Sequence, residues 1–136
     1  MQKQAELLIP VRTISESNCS EHWTTKSKRH KLQKKMVWAI WNQVRPNITL
    51  PCLIKLSRIA PRLLDDSDNL PISMKWIKDA LCAKIFPEKI VFVREKNRSY
   101  QNLGFTDDSK EITWEYSQIK GDVREYAVRV EIFFVQ

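Results

Sequence analysis

The sequence has few glycines and cysteines, and it has no long hydrophobic run. Its 136 residues include only two glycines, too few for a glycine-rich phosphate-binding loop. The three cysteines, Cys19, Cys52 and Cys82, are odd in number and about 30 positions apart. Such a set fits neither a disulfide framework nor a zinc site, so we expect reduced thiols in the cytoplasm. No segment approaches the roughly 18 apolar residues of a membrane span, and the first residues lack a signal-peptide core. Secreted, membrane and zinc-finger proteins are therefore excluded, and we expect no membrane partner.

The composition is that of one folded domain. Hydrophobic residues make up 43% and charged residues 29% of the chain. A chain of this length can bury roughly two-thirds of its unfolded surface, which is enough for a single core. We find no internal repeat, low-complexity tract or linker, so we expect a single domain over residues 1–136.

Positive charge is concentrated in the first half of the chain. Residues 1–62 hold 12 lysines and arginines against three aspartates and glutamates, whereas residues 63–136 hold 11 against 13. The densest stretch, residues 26–35, has six positive side chains in ten positions. A basic half indicates an anionic partner, most often nucleic acid. The alternative is a solvated helix face or a localisation-type tract.

Hydrophobic periodicity predicts an α+β fold in which a mixed sheet carries two packed helices. The pattern predicts strands at 6–14 and 49–59, helices at 21–44 and 73–85, and a C-terminal β-hairpin over 112–134. Residues 89–93 fit either a short strand or an insertion. In the second helix Ser73 is the predicted N-cap. The element order, with helices on one side of a sheet, is typical of the α+β class.

Two short acidic stretches are candidates for metal binding. Asp66 and Asp68 are two positions apart, so on an extended backbone both carboxylates would point the same way and could reach one hard cation. Asp107 and Asp108 form a second pair just before the predicted hairpin. Clustered carboxylates hold the metals that assist phosphodiester hydrolysis. The alternative is a polar turn whose side chains cap backbone amides.

Two further positions have a functional and a structural interpretation. Lys75, in the first turns of the second helix, could stabilise negative charge on a phosphate, or it could simply pair with Asp79 on the surface. His22 is more often a packing residue at a helix start than a catalyst. Its neighbour Trp23 is the tryptophan that we expect closest to a ligand.

Taken together, these motifs resemble the RusA family of small, dimeric, magnesium-dependent Holliday-junction resolvases, which phages and prophages often carry. The matching segments, in the family's order, are residues 18–23 followed by a basic helix, 66–70, 74–81, 106–109 and 114–116. The resemblance covers roughly residues 7–134, and it is the order and spacing of the motifs that make it specific.

The resemblance implies a set of site residues. Asp66, Asp68 and Asp108 match the family's essential aspartates, and Asp107 is the acidic neighbour that completes the predicted metal ligands. Lys75 matches its active-site lysine, so it joins the three aspartates as a predicted catalytic residue. The predicted DNA-binding residues are Asn18, His22, Trp23, Lys26, Lys28, Arg29, Lys31, Lys34, Lys35 and Asn69.

The resemblance also implies a function. It is paired, symmetric cleavage of four-way or other branched DNA by a cytoplasmic homodimer in recombination and repair. The implied cofactor is Mg²⁺, with Mn²⁺ as an accepted substitute, and no organic cofactor is expected. The alternative is a non-catalytic protein that binds branched DNA and keeps its carboxylates for folding.

Overall fold

A computed structural model describes residues 2–16, 20–66, 68–86 and 110–136, and the backbone alone of 90–95 and 98–103. It contains three helices and six strands within these ranges, which confirms the α+β class. The elements are β1 (Gln2–Ile9), α1 (Trp23–Val44), β2 (Cys52–Ala60), α2 (Asn69–Ser73), α3 (Lys75–Ile85), β3 (Ile90–Glu95), β4 (Arg98–Leu103), β5 (Ile112–Lys120) and β6 (Ala127–Phe134).

Four of the strands form one mixed sheet in the order β1-β6-β2-β5. Strand β6 is antiparallel to both β1 and β2, whereas β5 is parallel to β2. The remaining strands, β3 and β4, form a separate antiparallel pair. The strand interpretation of 89–93 is thus confirmed from residue 90 onward, as part of a two-stranded ribbon.

The predicted C-terminal hairpin is wrong, because β2 lies between β5 and β6. Ile54 of β2 pairs with Trp114 on one side and with Ile132 on the other. Alternating hydrophobicity identifies strands but does not specify their partners. All but one residue of β2 is buried, as expected of a strand at the centre of a sheet.

Helices α1 and α3 pack together, and α1 also contacts β1. The core between these helices and the sheet includes Leu7, Val37, Ile54, Leu81 and Val130. Gln33, a buried polar residue of α1, donates from Nε2 to the carbonyl of Arg12 (3.1 Å) and so fixes the helix to the segment after β1. In the described part of the chain, no helix has the length and hydrophobicity needed to cross a bilayer.

The predicted helix over 73–85 is present as α3, but it begins two residues later than predicted, after the short helix α2, and Ser73 is not its N-cap. Ser73 is the last residue of α2, and its hydroxyl donates to the carbonyl of Leu70 (2.7 Å). Helix α3 then begins at Lys75. The same hydroxyl that could cap a following helix here satisfies a carbonyl in the preceding turn.

Candidate functional site

The acidic loop, which is described at residues 61–66 and 68, leaves the sheet where two parallel strands end together. Ala60 of β2 pairs with Lys120 of β5, and the amide of Gly121 donates to the carbonyl of Ala60 (2.9 Å). Since β2 and β5 run in the same direction, their carboxyl ends meet at one edge of the sheet. The loop after β2 is therefore adjacent to the last residues of β5.

Gln118 of β5 holds the acidic loop in place. Its amide makes two hydrogen bonds with the backbone of Leu64, each 2.7 Å long. Its Nε2 also donates to Oδ1 of Asp66 (2.6 Å) and so orients that carboxylate. We did not predict Gln118 as a site residue. The available signal was its place at the end of the alternating strand 112–118.

Asp66 and Asp68 are both exposed, but not on the extended backbone that the sequence argument assumed. Asp66 lies in a turn, and Asp68 has helical dihedrals (φ −116°, ψ −51°) at the start of α2. The side chain of Asp68 makes no capping hydrogen bond to the helix. Among the described residues, no lysine, arginine or histidine forms an ion pair with either carboxylate.

Of the other residues predicted to accompany Asp66 and Asp68, the structure describes Asn69 and Lys75 but not Asp107 and Asp108. Asn69, the first residue of α2, accepts a hydrogen bond at Oδ1 from the hydroxyl of Ser15 (2.6 Å). Lys75 is exposed at the start of α3, with its Nζ 4.8 Å from the ring centroid of Trp76. Asp107 and Asp108 lie outside the described residues. Within those residues, no three side chains of metal-ligating type are clustered.

Most of the predicted DNA-binding lysines lie on the exposed surface of α1. Lys26 is half-buried, whereas the others are exposed: Lys28, Lys31, Lys34 and Lys35. We call these four the exposed lysines of α1. They span about two turns of one helix and so place repeated positive charge on its surface, as phosphate contacts require.

Arg29 is engaged within the protein, although we predicted that it binds DNA. Its guanidinium donates to Oε1 of Glu21 through Nη1 (2.8 Å) and Nη2, and its Nε lies 3.6 Å from Oε1 of Glu16. Its side chain is only 15% exposed. In this arrangement Arg29 fixes the segment before α1, and its guanidinium is less exposed than the exposed lysines of α1.

The first residues of α1 have different surroundings. His22 is the N-cap, since its Nδ1 accepts from the amide of Thr24 (3.3 Å). Trp23, beside it, is 71% exposed. An indole with this exposure does not contribute to the core, so the structure leaves it available to a ligand. Asn18, also predicted to bind DNA, lies outside the described residues.

The start of α2, which directly follows the acidic loop, is connected to the basic helix α1 through Ser15 and Glu16. Ser15 binds Asn69, as described above, while the carboxylate of Glu16 accepts from Nε2 of His30 on α1 (2.7 Å). The ring of His30 in turn stacks on Trp76 of α3, with centroids 3.8 Å apart. Two adjacent residues thus bring the predicted metal-binding loop and the predicted DNA-binding helix into one connected surface.

Arg58 is a second residue that the sequence analysis missed. It is 6% exposed and donates from Nε and Nη2 to the carbonyl of Thr13 and from Nη1 to the carbonyl of Arg62. Burial, and then the nearby Arg12, lower the pKa of its guanidinium. Arg58 thereby fixes the backbone two residues before Ser15 and four residues before Asp66. An arginine at an inward-facing strand position was the signal that could have found it.

Comparisons with protein-family models, with curated proteins and with solved structures found no match. The resemblance to the RusA family is therefore a prediction from the sequence motifs, and the function must be argued from the arrangement of these side chains.

Proposed function

We propose that the protein is a magnesium-dependent, structure-selective DNA endonuclease. It would resolve Holliday junctions by paired, symmetric cleavage, as a homodimer acting in recombination and repair. The observation that carries this proposal is the connection of the acidic loop to the basic helix through Ser15 and Glu16. In a metal-dependent nuclease, the carboxylates that bind the metal must lie near the lysines that bind the DNA phosphates. The contacts of Ser15 and Glu16 support such an arrangement.

The chemistry of the acidic loop fits Mg²⁺. Exposed carboxylates are hard oxygen ligands, and Mg²⁺ is typically bound by one or two of them while it keeps several waters. Asp66 and Asp68 would hold the ion together with Asp108 and its neighbour Asp107. A bound Mg²⁺ polarises the phosphodiester and supplies a hydroxide nucleophile.

The other side chains of the site would bind and orient the DNA. The exposed lysines of α1 would contact backbone phosphates with little reading of sequence. Lys75 would stabilise the negative charge that develops on the phosphate under attack. Gln118 and Asn69 would keep the acidic loop in position, through the bonds to Asp66 and Ser15.

A homodimer is part of the proposal because of the symmetry of the substrate. Resolution of a four-way junction requires two symmetric nicks, and a two-fold dimer supplies two active sites in the matching relation. A monomer would leave a singly nicked junction as its product.

The second candidate is a non-catalytic protein that binds branched DNA. The hydrogen bond from Gln118 to Asp66 favours it, because that carboxylate then contributes to the structure of the loop. Under this alternative the lysines bind DNA as before, but no metal-dependent cleavage occurs.

The deciding experiment uses an end-labelled synthetic four-way junction with Mg²⁺ or Mn²⁺. We expect the wild-type protein to make paired symmetric nicks and Asp68→Asn to bind the junction without cutting it. Glu6→Gln is the control, since it removes an exposed carboxylate from β1, outside the predicted site, and should leave cleavage unchanged. Tight binding by the wild type without nicking in either metal would refute the endonuclease and leave the second candidate.

A further inference from the structure

A groove of about 280 Å³ lies between α1 and α3, and its lining includes none of the residues assigned to catalysis. We call it the tryptophan groove, because two indole rings form its walls. Its lining includes His30, Lys31, Lys34, Trp38, Trp76 and Asp79. Ligand pockets start at roughly 300 Å³, so the groove suits a ligand of about one aromatic ring system with a small substituent.

The two indole rings are fixed by contacts that do not depend on a ligand. Trp38 donates from Nε1 to the carbonyl of Ala80 (3.0 Å), which ties α1 to α3. Trp76 stacks on His30, and the hydrogen bond to Glu16 fixes the imidazole in turn. Rings that are already oriented lose little conformational freedom when a planar ligand stacks on them.

Lysine side chains surround the same rings. Nζ of Lys34 lies 4.5 Å from the centroid of Trp38, and Nζ of Lys75 lies 4.8 Å from that of Trp76. Lys31 adds a third ammonium group at the exposed rim. Asp79 contributes a single carboxylate, so lysine charge predominates. A neutral planar ring with an anionic substituent complements these walls.

We infer that the tryptophan groove binds one unpaired nucleotide of the DNA substrate. The base would stack on an indole, and the phosphate would contact the ammonium groups of Lys31 and Lys34. Lys34 would then exchange its contact with Trp38 for the phosphate. A nucleotide that is already unpaired is the least costly to bind in this way. The inference rests on the proposed function, because it takes DNA as the ligand.

The test compares single-stranded with duplex DNA. The probes are fluorescein-labelled (dT)₆ and a blunt 20-base-pair duplex, and binding is followed by fluorescence anisotropy. The decisive pair is Lys34→Gln and Lys35→Gln, since both lysines are exposed neighbours on α1 and only Lys34 lines the groove. We expect Lys34→Gln to weaken (dT)₆ binding at least fivefold more than duplex binding, and Lys35→Gln to weaken both equally.

Trp38→Leu tests the stacking itself, with an expected loss of roughly tenfold in (dT)₆ affinity. Because this variant also loses the hydrogen bond to Ala80, circular dichroism must first show that it is folded, and Lys34→Gln carries the test if it is not. No binding of (dT)₆ by the wild type, or equal effects of Lys34→Gln and Lys35→Gln, would overturn the inference.

The outcomes separate the inference from the proposed function. Cleavage of the four-way junction together with equal effects of the two lysine variants would refute the nucleotide site alone. If Lys34→Gln selectively loses (dT)₆ binding and the wild-type protein does not cleave the four-way junction, the nucleotide site is supported and the endonuclease is refuted.

Discussion

Two neighbouring leucines of β1 face opposite sides of the sheet. Leu7 is 1% exposed and lies in the core beneath the helices, whereas Leu8 is 55% exposed on the other face. On that open face, β1 and β6 are joined by ion pairs. Nζ of Lys3 lies 2.8 Å from Oε2 of Glu131, and Nε of Arg129 lies 3.8 Å from Oε1 of Glu6. Along β1, the comparison separates a face that stabilises the fold from one that interacts with solvent.

The candidate site lies on neither face. The acidic loop occupies the edge where β2 and β5 end, and the rest of the connected surface is formed by the helices and the segment before α1. The site can therefore change without loss of the core, provided that the residues anchoring that edge remain. The predictions that follow test this separation.

The largest effect is expected from Leu7→Ala. The substitution leaves a cavity in the core, and such changes cost about 2–5 kcal/mol of unfolding free energy. Urea denaturation would measure it. A cost below about 1 kcal/mol would show that the covered face is not what holds the sheet and helices together.

Arg58→Lys should have a smaller effect on stability but a local effect on the site. Lysine keeps the charge but cannot supply the forked bonds to Thr13 and Arg62, and backbone carbonyls left buried without partners cost about 1–3 kcal/mol. We expect faster hydrogen exchange at the amide of Leu70, which donates to Asp65, with unchanged exchange in β6. Uniformly faster exchange across the sheet would contradict a role specific to the loop.

Cys52, at the start of β2, tests whether solvent reaches the face of the sheet that the helices cover. Burial, and then the charge of Glu111, raise the pKa of its thiol to about 11. Below pH 9 the native thiol is protonated, so iodoacetamide should label Cys52 far more slowly than an unfolded control, as mass spectrometry would show. The unfolded chain ionises near pH 9, so this contribution to stability is present below pH 9 and is lost as the pH rises toward 11. Labelling as fast as in the unfolded control would show that the Cys52 thiol is not buried in the native protein.

The smallest effect is expected from Leu8→Ala. Its side chain is more than half exposed, so the change in unfolding free energy should lie within about 0.5 kcal/mol. The same urea titration used for Leu7→Ala measures it. A loss as large as that of Leu7→Ala would mean that the open face is buried in solution.

The sequence pattern predicted the elements better than their connections. The stripe of Val37 and its neighbours identified α1 within two residues, and alternation identified β5 and β6. The parallel pairing of β5 with β2 could not be read from either strand, because it depends on contacts about 60 residues apart. Ser73 was misplaced because a serine near a helix boundary can bond to the turn on either side of it.

The sequence motifs suggested candidate site residues, whose roles stay predictions, but their geometry could not be predicted. The concentration of positive charge on α1 follows from composition, and four lysines of that helix are exposed. The pairing of Arg29 with Glu21, and the anchoring roles of Gln118 and Arg58, depend on tertiary contacts that no local pattern indicates. The proposed metal-ligating role of Asp107 and Asp108 stays a prediction.

The position of β6 between β1 and β2 has a consequence for folding. Neither β1 nor β2 can complete its pairing until residues 127–134 have been synthesised, since β6 is the strand that joins them. Contacts this distant along the chain slow folding, because a long loop must close before they form. A nascent chain that stops before β6 would therefore expose an unpaired edge on each of these strands, and a chaperone or a second chain could bind there.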